Sequence, residues 1–137
     1  MQGREFLDLA QELLTSGKQP RHWRAAIIHA YYALLLECRD AMTRWSLAPL
    51  SRHQVHAQVR LRLLYATEAK LKLIGSKLEE LGKHRNLASY DLRSLPLFAS
   101  ASDARQDVQL AIDSLALLDA IDADPLRRAA AVGSIRP

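Results

Sequence analysis

The sequence predicts an all-α protein, an up-and-down bundle of about five helices, from three observations. Apolar residues recur at spacings of three and four along nearly the whole chain, whereas no stretch shows the alternation of a half-buried strand. The 137 residues are enough for one domain, and a content of 49% hydrophobic and 25% charged residues is ordinary for a globular chain. We therefore expect one bundle over residues 1–124, followed by a flexible tail over residues 125–137.

The first two predicted helices carry the clearest patterns. The first covers about residues 4–15, and Gly17 follows as a stop signal. The second covers about residues 20–45 and begins at Pro20, because proline suits a first helical turn. Apolar residues occupy so much of its circumference that it should lie at the centre of the bundle or in a dimer interface.

Three further helices follow in the prediction. Ser51 with Gln54, and Ser100 with Asp103, have the spacing of capping boxes and mark the starts of the third and fifth helices. The predicted bounds are residues 52–66 for the third helix, 68 to 90 or 91 for the fourth and about 123 for the end of the fifth, with a loop over residues 92–100.

The single cysteine and the short apolar runs bear on the compartment. Cys38 lies inside an apolar helical pattern, so the sequence predicts neither an intramolecular disulfide nor a cluster of thiol ligands. The longest apolar stretch, residues 25–36, is interrupted by His29 and is too short to span a bilayer. We expect a cytoplasmic protein that is neither secreted nor membrane-spanning.

Standard enzyme fingerprints are absent from the sequence. It has no phosphate-binding glycine loop, no nucleophile elbow and no zinc spacing of four ligands. His53 and His56 lie three residues apart, but zinc needs further ligands and none is marked nearby. We expect no metal site and no cofactor.

Arg85 and His29 are the two polar residues that stand out on apolar helix faces. Arg85 interrupts the seam of the fourth predicted helix, where its charge needs carboxylates, carbonyls or an anionic ligand. His29 is usable as an acid or base near neutrality. Asn86, Tyr90 and Asp91 add polar groups beside Arg85. The cluster predicts either a functional site or a structural network, and a satisfied core histidine is the ordinary alternative for His29.

The charge of the chain is uneven. Residues 51–93 carry nine basic and four acidic groups, a net charge of +5, whereas residues 94–137 carry four and six, a net charge of −2. Clustered basic groups such as Lys83, His84 and Arg85 permit an anionic partner such as RNA. A solvated basic face is the alternative.

Two segments resemble the HEPN superfamily, and more narrowly its small stand-alone members. Residues 26–34 read AIIHAYYAL on the second predicted helix, and residues 85–91 read RNLASYD at the end of the fourth. The similarity in helix order covers roughly residues 4–122. It implies a helical bundle that pairs as a homodimer, with a cleft between the two fourth helices.

The resemblance also implies a function. Active members cleave RNA without metal, using an arginine, a polar residue and a histidine four to six positions after that arginine. Arg85 and Asn86 match the first two positions, but Tyr90 stands five positions after Arg85, so the motif histidine is missing. Many members are toxins whose antitoxin partner is a minimal nucleotidyltransferase.

The leading hypothesis is an RNA-acting HEPN-like protein, a metal-independent endoribonuclease of a toxin–antitoxin or defence system. Arg85 would hold the scissile phosphate, since its charged fork suits that role. His29, which stands where relatives commonly carry an arginine, would act as general acid or base, with Tyr90 and Asn86 orienting it.

Two alternatives remain open at this point. The first is a non-catalytic HEPN module that dimerises and binds a nucleotidyltransferase or another protein, with Asp91, Tyr31 and Tyr32 in a structural network around Arg85. The wide apolar surface of the second predicted helix motivates this alternative. The other is a small anionic ligand in the Arg85 cleft.

Overall fold

A computed structural model describes residues 1–135 as an all-α helical bundle, which confirms the predicted fold class. The described residues form six α-helices and one short 3-10 helix, Pro96–Phe98. The α-helices are α1 (Gly3–Ser16), α2 (Pro20–Arg44), α3 (Val55–Leu64), α4 (Ala69–Tyr90), α5 (Ser102–Ala123) and α6 (Pro125–Ser134). No helix among these residues is long and apolar enough to cross a membrane.

Helix α2 lies at the centre of the bundle. It begins at Pro20, as predicted, and packs against α1, α4 and α5. Residues on most of its circumference are buried, including Ile27, Leu34 and Cys38. The wide apolar surface that suggested a dimer interface is therefore covered by helices of the same chain.

Helices α3 and α4 approach each other closely at Gly75. A Cβ atom built on Gly75 would lie 2.8 Å from the backbone nitrogen of Leu64 and 2.9 Å from Cβ of Leu63. Only glycine leaves room for such an approach. This contact sets how near the side chains of α3 come to those of α4 further along.

Both predicted capping boxes are wrong. Residues 51–54 close a turn, in which the Gln54 amide donates to the Ser51 carbonyl at 3.2 Å, so Gln54 becomes the N-cap and α3 starts at Val55. Helix α5 likewise starts one residue after Ala101, and the Ser100 hydroxyl accepts a bond from the amide before Asp103.

Helix α6 occupies most of the segment that was predicted to be a flexible tail. The carboxylate of Asp124 accepts hydrogen bonds from two amides of the first turn at 3.0 and 3.3 Å, and Pro125 fits that turn. Ala131 and Ile135 are buried in the main core, and α6 packs on α5. The tail prediction is therefore wrong over the helix, whereas residues 136 and 137 lie outside the described part of the chain.

Candidate functional site

Arg85 is half-buried on α4 and is held by neutral groups. Its two terminal nitrogens donate to the Tyr32 hydroxyl at 2.6 Å and to Oδ1 of Asn86 at 2.9 Å. Its Cζ lies 5.6 Å from the ring centroid of Tyr31 and 5.3 Å from that of Tyr32. The paired tyrosines of α2 thus hold the guanidinium from one side.

The charge of Arg85 has no carboxylate partner among residues 1–135. Its Nε is also buried without a hydrogen-bond partner in that part of the chain. A half-buried guanidinium normally finds an acid, because desolvating an unpaired charge is costly. Of the partners expected for Arg85, a carboxylate is therefore absent among residues 1–135, and the site retains a positive charge that no acidic side chain balances.

Helix α3 brings His56 beside the same tyrosines. Nδ1 of His56 and the Tyr31 hydroxyl are 2.7 Å apart, and the two rings are stacked with centroids 5.7 Å apart. Partial burial and the nearby charge of Arg85 lower the pKa of His56 below 6.5. His56 is consequently neutral at pH 7, the form that can accept a proton.

Tyr31 stays a phenol in this arrangement. Its ring is buried, and burial raises the pKa of its hydroxyl above 10 although Arg85 acts in the opposite direction. A neutral hydroxyl can either donate to Nδ1 of His56 or accept from it, depending on the histidine tautomer. Tyr31 therefore orients His56 without carrying charge.

Arg85 and His56 line one cleft of about 630 Å³ between α3 and α4. Three permanent cations border it, Arg60, Lys83 and Arg85, against one carboxylate, Glu79. His53 and Asn86 line it as well. Cations in excess, around a walled space, favour an anion such as phosphate.

The structure does not bring His29 into this cleft. The His29 ring stacks on Phe6 of α1, with centroids 5.6 Å apart, and its Nδ1 is buried without a hydrogen-bond partner among residues 1–135. Burial lowers the pKa of His29 below 6.5. His29 lies on the α1 side of α2, whereas the hydrogen bonds of Arg85 go to Tyr32 and Asn86.

His84 also faces away from the cleft. Its Nδ1 lies 2.7 Å from a carboxylate oxygen of Asp107 on α5, and Asp107 is only 3% exposed. Burial raises the pKa of Asp107 although the contact with His84 opposes that shift. His84 therefore links α4 to α5 rather than joining Lys83 and Arg85 at the cleft.

The remaining predicted residues divide between two places. Tyr90 is 75% exposed, and its ring centroid lies 5.8 Å from Cζ of Arg85. Asp91 instead pairs with Arg93, whose hydrogen bonds hold the pKa of the Asp91 carboxyl at about 2. Of the proposed network, the tyrosines of α2 contact Arg85, whereas Asp91 does not.

Arg24 is an important residue that the sequence did not indicate. One of its terminal nitrogens donates to the carbonyls of Ala88 and Asp91 at 3.2 and 2.5 Å, and the other donates to the carbonyl of Arg93 at 2.8 Å. Its guanidinium lies 4.1 Å above the ring of Phe98. These contacts satisfy the last carbonyls of α4 and fix the end of the helix that carries the site.

His56 and Arg60 were likewise overlooked as site residues. His56 was considered only as half of a metal pair with His53, and Arg60 only as part of the basic middle segment. Their spacing of four places them on one helix face, which is the signal that could have paired them. Within residues 1–135 no group of three histidine, cysteine or acidic side chains is placed to hold a metal ion.

Comparisons with known proteins add no relative to this description. No family model matches the chain, and neither the curated proteins nor the solved structures contain a match.

Proposed function

We propose that this protein is an RNA-acting, HEPN-like endoribonuclease that works without metal. One observation carries the proposal: Arg85, a half-buried arginine without a carboxylate partner in the described chain, shares a cation-lined cleft with His56, a histidine whose neutral form is favoured at pH 7. The first group suits a phosphate and the second suits proton transfer.

The chemistry that these groups support is attack by the ribose 2′-hydroxyl on the adjacent phosphate. When the proton of His56 lies on Nδ1, it donates to the Tyr31 hydroxyl and leaves the lone pair of Nε2 for the 2′-hydroxyl proton. The new bond joins O2′ to phosphorus, and the bond from phosphorus to O5′ breaks. The leaving O5′ takes a proton from water at the open cleft, giving a 2′,3′-cyclic phosphate and a 5′-hydroxyl. The hydroxide that remains takes the proton from Nε2 of His56, which returns the histidine to its neutral form.

Arg85 stabilises the charge that develops in this step. The phosphorane carries more negative charge on its non-bridging oxygens than the phosphodiester does, and a preoriented cation favours that state. Tyr32 and Asn86 hold two nitrogens of Arg85 in place before substrate binds. Removal of such a group typically lowers the rate by about 10² to 10³.

The HEPN resemblance supports the proposal, but the histidine assigned as general acid or base changes from His29 to His56. Residues 85–91 lack the motif histidine, and His56 on α3 supplies a histidine in the Arg85 cleft in place of His29. Homodimerisation, a cytoplasmic location and pairing with a minimal nucleotidyltransferase antitoxin, which the resemblance implies, stay predictions.

The second candidate function is a non-catalytic module that dimerises or binds a protein partner. In the structure the surface that favours it lies at the end of α4 and not on α2. Leu87, Tyr90 and Leu92 are exposed around the end of α4, at 38%, 75% and 86% of their surfaces. An exposed apolar patch favours a protein contact. The surface of α2, which first suggested this function, is covered within the chain.

Cleavage of a long unstructured RNA in the presence of a chelator tests the proposal. We expect the wild-type protein to cleave the RNA. In Arg85→Ala and in His56→Ala the cleavage rate should fall by a factor of about 10² or more. Arg105→Ala and His29→Ala are the matched controls, since Arg105 is exposed on α5 and His29 lies outside the cleft. An intact RNA with wild-type protein, or equal cleavage by Arg85→Ala, would contradict the proposal.

A further inference from the structure

The end of α4 carries an exposed aromatic ring beside Arg85. Tyr90 is 75% exposed, yet its ring centroid lies within 5.8 Å of the Arg85 guanidinium. Its hydroxyl makes no hydrogen bond within residues 1–135, whereas the hydroxyls of Tyr31 and Tyr32 are both engaged. An exposed aromatic face next to this guanidinium is available to a ligand with a flat apolar surface.

Two grooves meet at this point of the surface. The cleft that contains His56 shares two lining residues, Lys83 and Asn86, with a second and more open groove of about 910 Å³. Tyr90, Leu87 and Arg93 line the second groove. Arg85 lines only the first groove, but its Cζ lies 5.8 Å from the ring centroid of Tyr90, which lines the second. A strand whose phosphate contacts Arg85 can therefore extend on one side towards His56 and on the other side over Tyr90.

We propose that Tyr90 is a base-stacking platform, which holds an unpaired nucleobase next to the phosphate bound by Arg85 and thereby selects single-stranded RNA. This inference rests on the proposed function. Stacking on an aromatic ring requires a base that is free of a duplex, because paired bases are already covered on both faces. Every base has such a face, so the platform selects strand state rather than sequence.

The surroundings of Tyr90 fit this role. Lys83 lines the same groove and offers a positive charge to the phosphate backbone of an RNA strand. The negative charge of the Asp91 carboxylate is balanced by its ion pair with Arg93. Arg24 binds the carbonyls of Ala88 and Asp91 on either side of Tyr90, which fixes the helix end from which the ring projects. A ring on a fixed backbone loses little freedom when a base stacks on it.

Tyr90 therefore does not replace the histidine that the sequence motif lacks. The proton acceptor in the cleft is His56, and Tyr90 is a specificity-determining residue that acts through contact with the base. Its ring, and not its hydroxyl, is the part that matters.

Binding of a short uridine oligomer carrying 2′-O-methyl groups, which prevent cleavage, tests this inference on the full chain. We expect Tyr90→Ala to weaken binding by about 5- to 100-fold, the usual range for one base stacked on an aromatic ring. Tyr90→Phe should retain most of the affinity, because the ring is preserved. Tyr65→Ala is the matched control, since Tyr65 is 68% exposed but lines neither groove.

A single abasic position moved along the oligomer sharpens the test. At one position in the oligomer, loss of the base should weaken binding to the wild-type protein but leave binding to Tyr90→Ala unchanged. The base at that position is the one that stacks on Tyr90. A duplex of the same sequence should bind the two proteins equally.

The outcomes separate this inference from the proposed function. If Tyr90→Ala binds as well as wild-type while Arg85→Ala loses binding and cleavage, the platform is refuted and the ribonuclease stands. Equal losses in Tyr90→Phe and Tyr90→Ala would assign the role to the hydroxyl and refute stacking. A lower molecular mass of Tyr90→Ala in solution with unchanged RNA binding would identify the patch as a protein interface. A wild-type protein that neither binds nor cleaves RNA would overturn both.

Discussion

Replacement of Gly75 by alanine tests the close packing of α3 on α4. The added Cβ would lie 2.8 Å from the backbone nitrogen of Leu64 and 3.0 Å from the carbonyl carbon of Leu63, whereas ordinary contact begins at 3.4 Å. Both atoms belong to the backbone, so no side-chain rotation relieves the clash, and the helices must separate by about 0.6 Å at this point. Overpacking of this kind costs about 1–3 kcal/mol.

The helix propensity of alanine partly offsets this cost. Alanine in a helix interior is favoured over glycine by about 1 kcal/mol, so Gly75→Ala should lower the free energy of unfolding by up to about 2 kcal/mol. Gly82→Ala is the matched control on the same helix, because its Cβ would meet only Cε2 of Tyr31, at an ordinary 3.5 Å. That variant should gain about 0.5–1 kcal/mol.

Urea denaturation followed by far-ultraviolet circular dichroism measures both variants against the wild-type protein. Gly75→Ala should be less stable than Gly82→Ala by about 1–3 kcal/mol, since only the first variant is overpacked. A Gly75→Ala protein that is as stable as Gly82→Ala would refute the close approach of α3 to α4, and with it the shared cleft.

Arg24→Met keeps the apolar stem of the side chain but leaves the carbonyls at the end of α4 without their donor. The free energy of unfolding measured by urea denaturation should therefore fall by about 2 kcal/mol. An unchanged denaturation midpoint would contradict the contacts of Arg24. Burial and the charge of Arg85 lower the pKa of His56 in the free protein, so the proton-accepting form persists below pH 6.5. The acidic limb of the pH profile of kcat/KM for RNA cleavage, which reports the free protein, should have its midpoint below that value. A midpoint at or above pH 6.5 would exclude His56 as the base. Burial raises the pKa of the Cys38 thiol to about 12, so a thiol reagent should leave the native protein unmodified and react once urea unfolds it; rapid labelling of the native protein would contradict that burial.

The helices were predictable because their burial patterns are long. Helix α2 was placed at residues 20–45 and is found at Pro20–Arg44, since its apolar residues repeat over seven turns. Helix α6 was not predicted because only Ala131 of the helix and Ile135, the first residue after the helix, are buried. Two buried residues are too few to show a helical period in the sequence. A start signal in this segment is Pro125, since proline suits a first helical turn.

The site was predictable only in part. Arg85 is conspicuous in the sequence because a charge on the apolar seam of a helix needs a partner. Its partners were not predictable, since they depend on which face of α2 and which end of α3 the packing brings to α4. His56 illustrates this limit: its neighbour in the site, Tyr31, is 25 residues away in sequence.

Arg24 shows a second limit. Its role consists of hydrogen bonds to main-chain carbonyls more than 60 residues away, and carbonyls are present at every position of a sequence. Nothing distinguishes such an arginine from one that is solvated. The same holds for His84, whose partner Asp107 is identified only once α4 and α5 are seen side by side.

The chemical ends of the RNA fragments show whether Arg85 and His56 carry out the proposed attack by the 2′-hydroxyl. An RNA oligonucleotide should be incubated with the wild-type protein in the presence of a chelator, and the fragments identified by mass spectrometry. We expect fragments with 2′,3′-cyclic phosphate and 5′-hydroxyl ends, which should be absent with Arg85→Ala and abolished by a 2′-deoxynucleotide at the cleavage position. Intact RNA, or fragments that form despite the 2′-deoxynucleotide, would contradict it.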